Sequence, residues 1–132
     1  MTKYNSTDNK TILDLEDDAA HVIMGGSWHI PTVAQMQEIE NDEYVSFSYE
    51  EDNNKKYVRL TSLINGNELI IPISTFIDEN TRSTTGEIYL WSNQLYNNNK
   101  TSAQMLYADI GGVNAGFPSA RYMGLNIRGV VG

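Results

Sequence analysis

The chain has 132 residues, 40% hydrophobic and 20% charged, enough for one domain with its own core and too few for two. Its formal charge of -8 is uneven: residues 1–54 hold 12 acids and 2 bases, residues 55–132 hold 5 acids and 7 bases. The acidic half repels phosphate and the second half has no dense basic cluster, which argues against nucleic-acid binding. The lack of cysteine excludes disulfides, thiol catalysis and Cys-ligated zinc, and no run of about 18 apolar residues is present to span a membrane.

In chain order, residues 1–13 read as a polar arm, and MTKYNSTDNK has no apolar segment of the signal-peptide kind. Asn5-Ser6-Thr7, Asn9-Lys10-Thr11 and Asn99-Lys100-Thr101 fit the glycosylation acceptor pattern, which is common by chance. From Asp14, LEDDAAHVIMGG predicts a short helix with acids in its first turn, a buried stripe of Ala19, Val22 and Ile23, and a glycine stop at Gly25 or Gly26. Trp28 and Ile30 are expected to cross the core. Pro31 bars backward extension of a second helix, TVAQMQEIEND, which Thr32 and Gln35 open with a capping box and which turns Val33, Met36 and Ile39 inward.

After Asp42 the period changes to two. Tyr44–Tyr49 and Lys56–Thr61 predict a hairpin turning at Glu51–Asn54, and Asn65-Gly66 marks a second tight turn into Leu69–Ile73. Pro72 has no N–H to give, so that end belongs at an edge or a strand terminus. Residues 76–87 read as a polar loop, followed by strand 88–93, loop 94–101, strand 103–110, loop 111–119 and strand 124–131. The sum is α+β: two short helices, then a mostly antiparallel sheet of about six strands with long loops.

Candidate chemistry is sparse. His21 and His29 are the two histidines, and His21 beside Asp17 and Asp18 reads as a structural residue rather than a general base. No serine sits in a nucleophile-elbow context. Glu16-Asp17-Asp18 and Glu50-Glu51-Asp52 offer oxygens of the kind calcium takes, but neither fits an EF-hand loop, so they read as solvated charge and no metal or cofactor is expected. Trp28 and Trp91 are expected in the core. Tyr96, Phe117 and Tyr122 lie in or beside the predicted loops, with Tyr107 nearby. Together with Asn97, Asn98 and Asn114 they have the composition of a recognition surface, in which rigid aromatic anchors sit beside adaptable polar groups. Arg121 suits either such a surface or a structural tie. Arg128 is expected to fix the closing strand or to pair with an acid such as Asp109.

The ordered set of motifs resembles the Fibrobacter succinogenes major paralogous domain family of Bacteroidetes. It comprises Asp14–Val22 followed by Gly25-Gly26-Ser27-Trp28 and Pro31-Thr32, then Thr61-Ser62, Asn65-Gly66-Asn67 and Ile71-Pro72. Trp91-Ser92, Ala103 with Leu106, and Arg121-Tyr122 with Gly124 and Arg128 complete it. The matches run through residues 14–131. Departures are His29 in place of Arg, Ser74-Thr75-Phe76 in place of a small-residue turn, and Gly129 in place of Pro. If Met1 is the native start, the domain is shortened at its N-terminus or completed by another chain. The C-terminal pattern is also similar to the variable proteins of diversity-generating retroelements, found in phages and bacteria.

What the resemblance implies is a single C-type lectin-like domain over 1–132 that binds without catalysis. The related formylglycine-generating fold works through cysteine, which this chain lacks. The resemblance puts Tyr96, Asn97, Asn98, Asn114, Phe117, Arg121 and Tyr122 at the ligand, with Trp91, Leu106, Leu125, Ile127 and Val130 as frame. The implied ligand is a carbohydrate or protein on a cell surface, and the implied setting is extracellular, on a cell surface or on a virion. The alternative is a virion or pilus-type subunit that self-associates through the same loops.

Overall fold

One carboxylate organises the start of the chain. The computed structural model describes residues 2–73, 75–78, 81–84, 86–96 and 99–132, with 75–78 and 81–84 described by backbone alone. The single helix predicted from Leu15 is two pieces: a 3-10 turn at Leu15–Asp17 and helix α1 at Ala19–Met24. The break is Asp18, whose backbone is extended (φ -82, ψ 110). Its Oδ1 accepts the N–H groups of Ala20 and His21 at 3.0 and 3.1 Å, and its Oδ2 accepts that of Ile30 at 2.8 Å. The first two bonds cap donors that the first helical turn leaves open, and the third ties the helix to the extended chain behind it. Gly25, at φ 70, ends α1 as a glycine stop does.

The late start of α1 moves its packed side. Ala20 is buried, but Val22 and Ile23 are 63% and 80% exposed, so the expected stripe of Ala19, Val22 and Ile23 is not a core face. The helix packs instead through Ala20 and Met24, one turn apart, which close with Trp28 around Gly129. Trp28 itself is 36% exposed and does not cross the core. It lies on β1 (Trp28–His29), paired antiparallel with β10 (Val130–Val131) in an outlying ribbon. Ile30 does enter the core. Helix α2 (Val33–Glu40) begins with the predicted Thr32–Gln35 capping box and buries Val33 and Met36, with Ile39 packed beside them.

Strands β2 (Val45–Asp52), β3 (Lys55–Ser62) and β4 (Glu68–Pro72) form an antiparallel sheet in that order. Asn53 and Asn54 make the first turn at φ 50 and 64, the paired positive values of a two-residue hairpin. Pro72 ends edge strand β4, as its missing donor requires. The stretch 76–87, expected as a loop, contains a hairpin, β5 (Thr75–Asp78) with β6 (Thr81–Thr84). Threonine favours strands, and the sequence reading gave its polarity too much weight.

A second three-stranded sheet follows: β7 (Ile88–Tyr96), β8 (Asn99–Asp109) and β9 (Gly112–Ala120). Its inward residues Ile88, Leu90, Leu106 and Ala108 meet Val58, Leu60 and Ile71 of the first sheet and Met36 of α2 in one buried cluster. Helix α2 also covers β9, where Glu40 accepts the N–H of Ala115 at 3.1 Å. Two expectations reverse here. The predicted loop 111–119 is strand β9, and most of loop 94–101 belongs to β7 and β8. The predicted strand 124–131 pairs only at Val130–Val131, apart from a parallel bridge of Asn126 to Leu90. Of the expected frame, Leu106 is buried and Trp91 half-buried, whereas Ile127 is exposed. The molecule is α+β with two helices and mostly antiparallel sheets, but its described residues form ten strands in four sheets rather than about six in one. No helix among them is long and apolar enough to cross a membrane.

Candidate binding site

Alternation along β7 sends Ile88 and Leu90 into the core, so Tyr89 and Trp91 belong to the other side of the sheet. The register then decides their neighbours. Tyr89 stands opposite Tyr107 and Tyr107 opposite Asn114, while Trp91 stands opposite Met105 and Met105 opposite Phe117. The Tyr89 and Tyr107 rings meet edge to face, with centroids 5.4 Å apart at 61°; the Tyr107 and Phe117 rings lie 5.7 Å apart at 30°. Such pairs are favourable geometries for aromatic quadrupoles. Phe117, at 50% exposure, carries the row out to solvent beside exposed Asn114.

Carboxylates border the row. The Tyr107 hydroxyl donates to Asp109 at 2.9 Å, and the Tyr89 hydroxyl donates to Glu87. Burial first, and the Asp109 carboxylate second, push the Tyr107 hydroxyl well above the usual phenol range, so it stays a donor. The arrangement offers apolar ring faces, a free carboxamide and anionic acceptors on one sheet face. That suits a ligand with both C–H faces and hydroxyls.

Of the seven residues predicted from sequence, the five that are described do not come together. Asn114 and Phe117 are on this face. Tyr96 ends β7 opposite Asn99, and Tyr122 is 69% exposed in the turn after β9. Because Ser102 pairs with Ala120, that turn lies at the Tyr96 end of the sheet, away from Asn114. Asn97 and Asn98 lie outside the described residues. Arg121 acts as a tie: its Nη1 donates to the backbone oxygens of Tyr4 and Lys100, both at 2.9 Å, and its guanidinium lies 6.0 Å from the Tyr4 ring centre. Of the two roles open to Arg128, no ion pair with Asp109 is formed; Asp109 accepts from the Tyr107 hydroxyl and from the Gly111 N–H. Sequence reasoning missed Tyr89, Glu87 and Asp109 as parts of one surface. The signal was the period-two spacing of Tyr89 with Trp91 and of Tyr107 with Asp109.

The polar arm is docked rather than free. Tyr4 is 6% exposed, and its hydroxyl donates to Asp17 at 2.5 Å. Leu13 N–H donates to Asn93 O, and Leu95 N–H donates to Thr11 O, which covers the free edge of β7. Asp14, Glu16 and Asp17 present carboxylate oxygens within 4.8 Å of one another, but Lys3 pairs with Glu16 and Asp17, and Lys10 with Asp14. The chain's own cations thus occupy that cluster. Each histidine ring sets a nitrogen against a backbone carbonyl, His21 on Trp28 and His29 on Ile30.

Between the arm and β7 lies a cavity of about 180 Å³, walled by Tyr4, Leu13, Ile30, Trp91, Leu95 and Arg121. Asn93 also lines it, and its Oδ1 is buried with no hydrogen-bond partner. Leaving such an acceptor unmet costs roughly 1–3 kcal/mol. Comparison with family models, with curated proteins and with solved structures gives no match to this chain in any of the three.

Proposed function

We propose that the protein is a non-enzymatic binding module of the C-type lectin-like class, related to the Fibrobacter succinogenes major paralogous domain family, that recognises a carbohydrate on a cell surface. The observation that carries the ligand class is the outward row Tyr89, Tyr107 and Phe117 with Asn114, bordered by Asp109 and Glu87. Sugar rings pair C–H faces with aromatic planes, and their hydroxyls pair with carboxamides and carboxylates. The fold class rests on the ordered motifs from Asp14 to Arg128 together with two helices ahead of mostly antiparallel sheets. An extracellular or virion setting follows from the same resemblance, as does a link to diversity-generating retroelements.

The test is binding of the purified chain to an array of immobilised cell-surface glycans, followed by single variants against the tightest glycan. Phe117→Ala is expected to weaken binding roughly tenfold, the size of one lost aromatic contact, and Asn114→Ala by a similar factor, with melting temperatures unchanged. Tyr122→Ala and Tyr96→Ala probe the other end of the sheet. If those two abolish binding while Phe117→Ala and Asn114→Ala do not, the ligand sits on the turns and the aromatic face is not the site.

A second reading is a self-assembling subunit of a virion or pilus-type structure. The specific observation in its favour is the uncovered apolar pair on α1, Val22 and Ile23, which are 63% and 80% exposed.

A further inference from the structure

The cavity beneath the arm is lined by none of Tyr89, Tyr107, Asn114 and Phe117, and it has its own chemistry. Its walls are apolar at Leu13, Ile30 and Leu95, with an indole at Trp91. Thr11, Ser92, Gln94 and Arg121 also line it, but the polar atom left unmet is on Asn93: its backbone is engaged, the N–H with Pro31 O and the carbonyl with Leu13 N–H, while its buried side-chain Oδ1 has no hydrogen-bond partner. The backbone bonds hold Asn93 in place, so the carboxamide cannot relieve itself by moving the strand. Rotation about its last torsion exchanges oxygen and nitrogen without changing shape, so either end can meet a partner in the cavity. Dry apolar cavities of comparable size accept single aromatic rings, and a cavity with one unmet amide favours a ring that also hydrogen-bonds.

We infer that this cavity is a binding site for a small aromatic molecule carrying one hydroxyl, with the ring against Leu13, Ile30 and Leu95 and the hydroxyl on the Asn93 carboxamide. The ligand lies between the arm and β7, so its binding strengthens the docking of the arm. The proposal does not depend on what the aromatic face binds.

The experiment is a titration of the full chain with phenol and, in parallel, with toluene, followed by amide and indole proton–nitrogen NMR. Phenol is expected to give saturable shifts at the Leu13, Asn93 and Leu95 amides and at the Trp91 indole, binding roughly tenfold more tightly than toluene. Asn93→Leu is expected to erase the preference while toluene still binds. Ala103→Leu, which puts bulk into the same cavity, is expected to remove both ligands, and it supplies the control if Asn93→Leu does not fold. The inference is overturned by shifts that do not saturate or that centre on Tyr89 and Phe117. Equal affinity for phenol and toluene, or phenol shifts at Leu13 that persist in Ala103→Leu, overturn it as well.

Discussion

Asp18 shows how residues that make this sequence familiar turn out to be fasteners. It is 2% exposed, and its two oxygens do different work: Oδ1 caps α1 through Ala20 and His21, and Oδ2 holds Ile30. Thr32 caps α2, and Arg121 clamps the arm against β8 through Tyr4 and Lys100. The motif set therefore reports on how the chain is held, and the surface proposed to meet a ligand is made of other residues. The two oxygens of Asp18 can be separated by substitution. Asp18→Asn keeps an oxygen for the cap but turns an N–H2 toward the Ile30 N–H, two donors face to face, and is expected to destabilise by about 1–3 kcal/mol. Asp18→Ala removes both functions and is expected to cost about 2–4 kcal/mol. Urea unfolding measures both. An Asn variant as stable as the native chain would mean that the bond to Ile30 contributes nothing.

At the scale of elements, the N-terminal arm behaves as an extra edge strand held by carboxylates. The Tyr4 hydroxyl first, and Lys3 second, keep the Asp17 carboxyl below its usual range; the N–H groups of Lys10, Asn5 and Tyr4 do the same for Asp8. A carboxyl with a lower pKa when docked favours docking fully above its free value, about 4, and that contribution is lost as pH falls through the lower, docked value. Hydrogen exchange at the Leu13 amide is thus expected to stay protected above about pH 4 and to lose protection as the pH falls below that, ahead of β8. Tyr4→Phe removes the leading cause of the Asp17 shift and is expected to move the release to higher pH. Loss of arm and β8 protection together, at one pH in both proteins, would show that the carboxylates do not hold the arm. The same docking marks where sequence reading stops. The cap at Thr32, the glycine stop at Gly25 and the turn at Asn53-Asn54 are local chemistry and were legible. Strand β9 was not, because GGVNAGFPS has loop composition and becomes a strand only by pairing with β8, from Asp109–Gly112 to Ser102–Ala120. Conversely, Gly124–Val131 has strand composition, yet it bridges β7 only through Asn126, at Leu90. The candidate face was legible at Phe117 and Asn114 and illegible as a row, since its other members reach it through register.

For the whole molecule the open question is whether the uncovered side of α1 meets another copy of the chain. Val22 and Ile23 stand out with the partly exposed Trp28, and Val131 is 55% exposed on the strand paired with it. Apolar residues clustered in this way are a mark of association surfaces, whereas single exposed ones are ordinary. Opposing association is the formal charge of -8, which repels like chains at long range. The two effects respond oppositely to salt: screening weakens the repulsion and leaves apolar contact intact. The subunit reading therefore expects light scattering to find concentration-dependent association that tightens as sodium chloride is raised from about 0.01 to 0.5 M. Ile23→Glu, at a position 80% exposed, is expected to abolish that association while leaving the melting temperature unchanged. A chain that stays monomeric at high concentration and high salt would remove the subunit reading, and glycan recognition through the aromatic face would stand without a competitor.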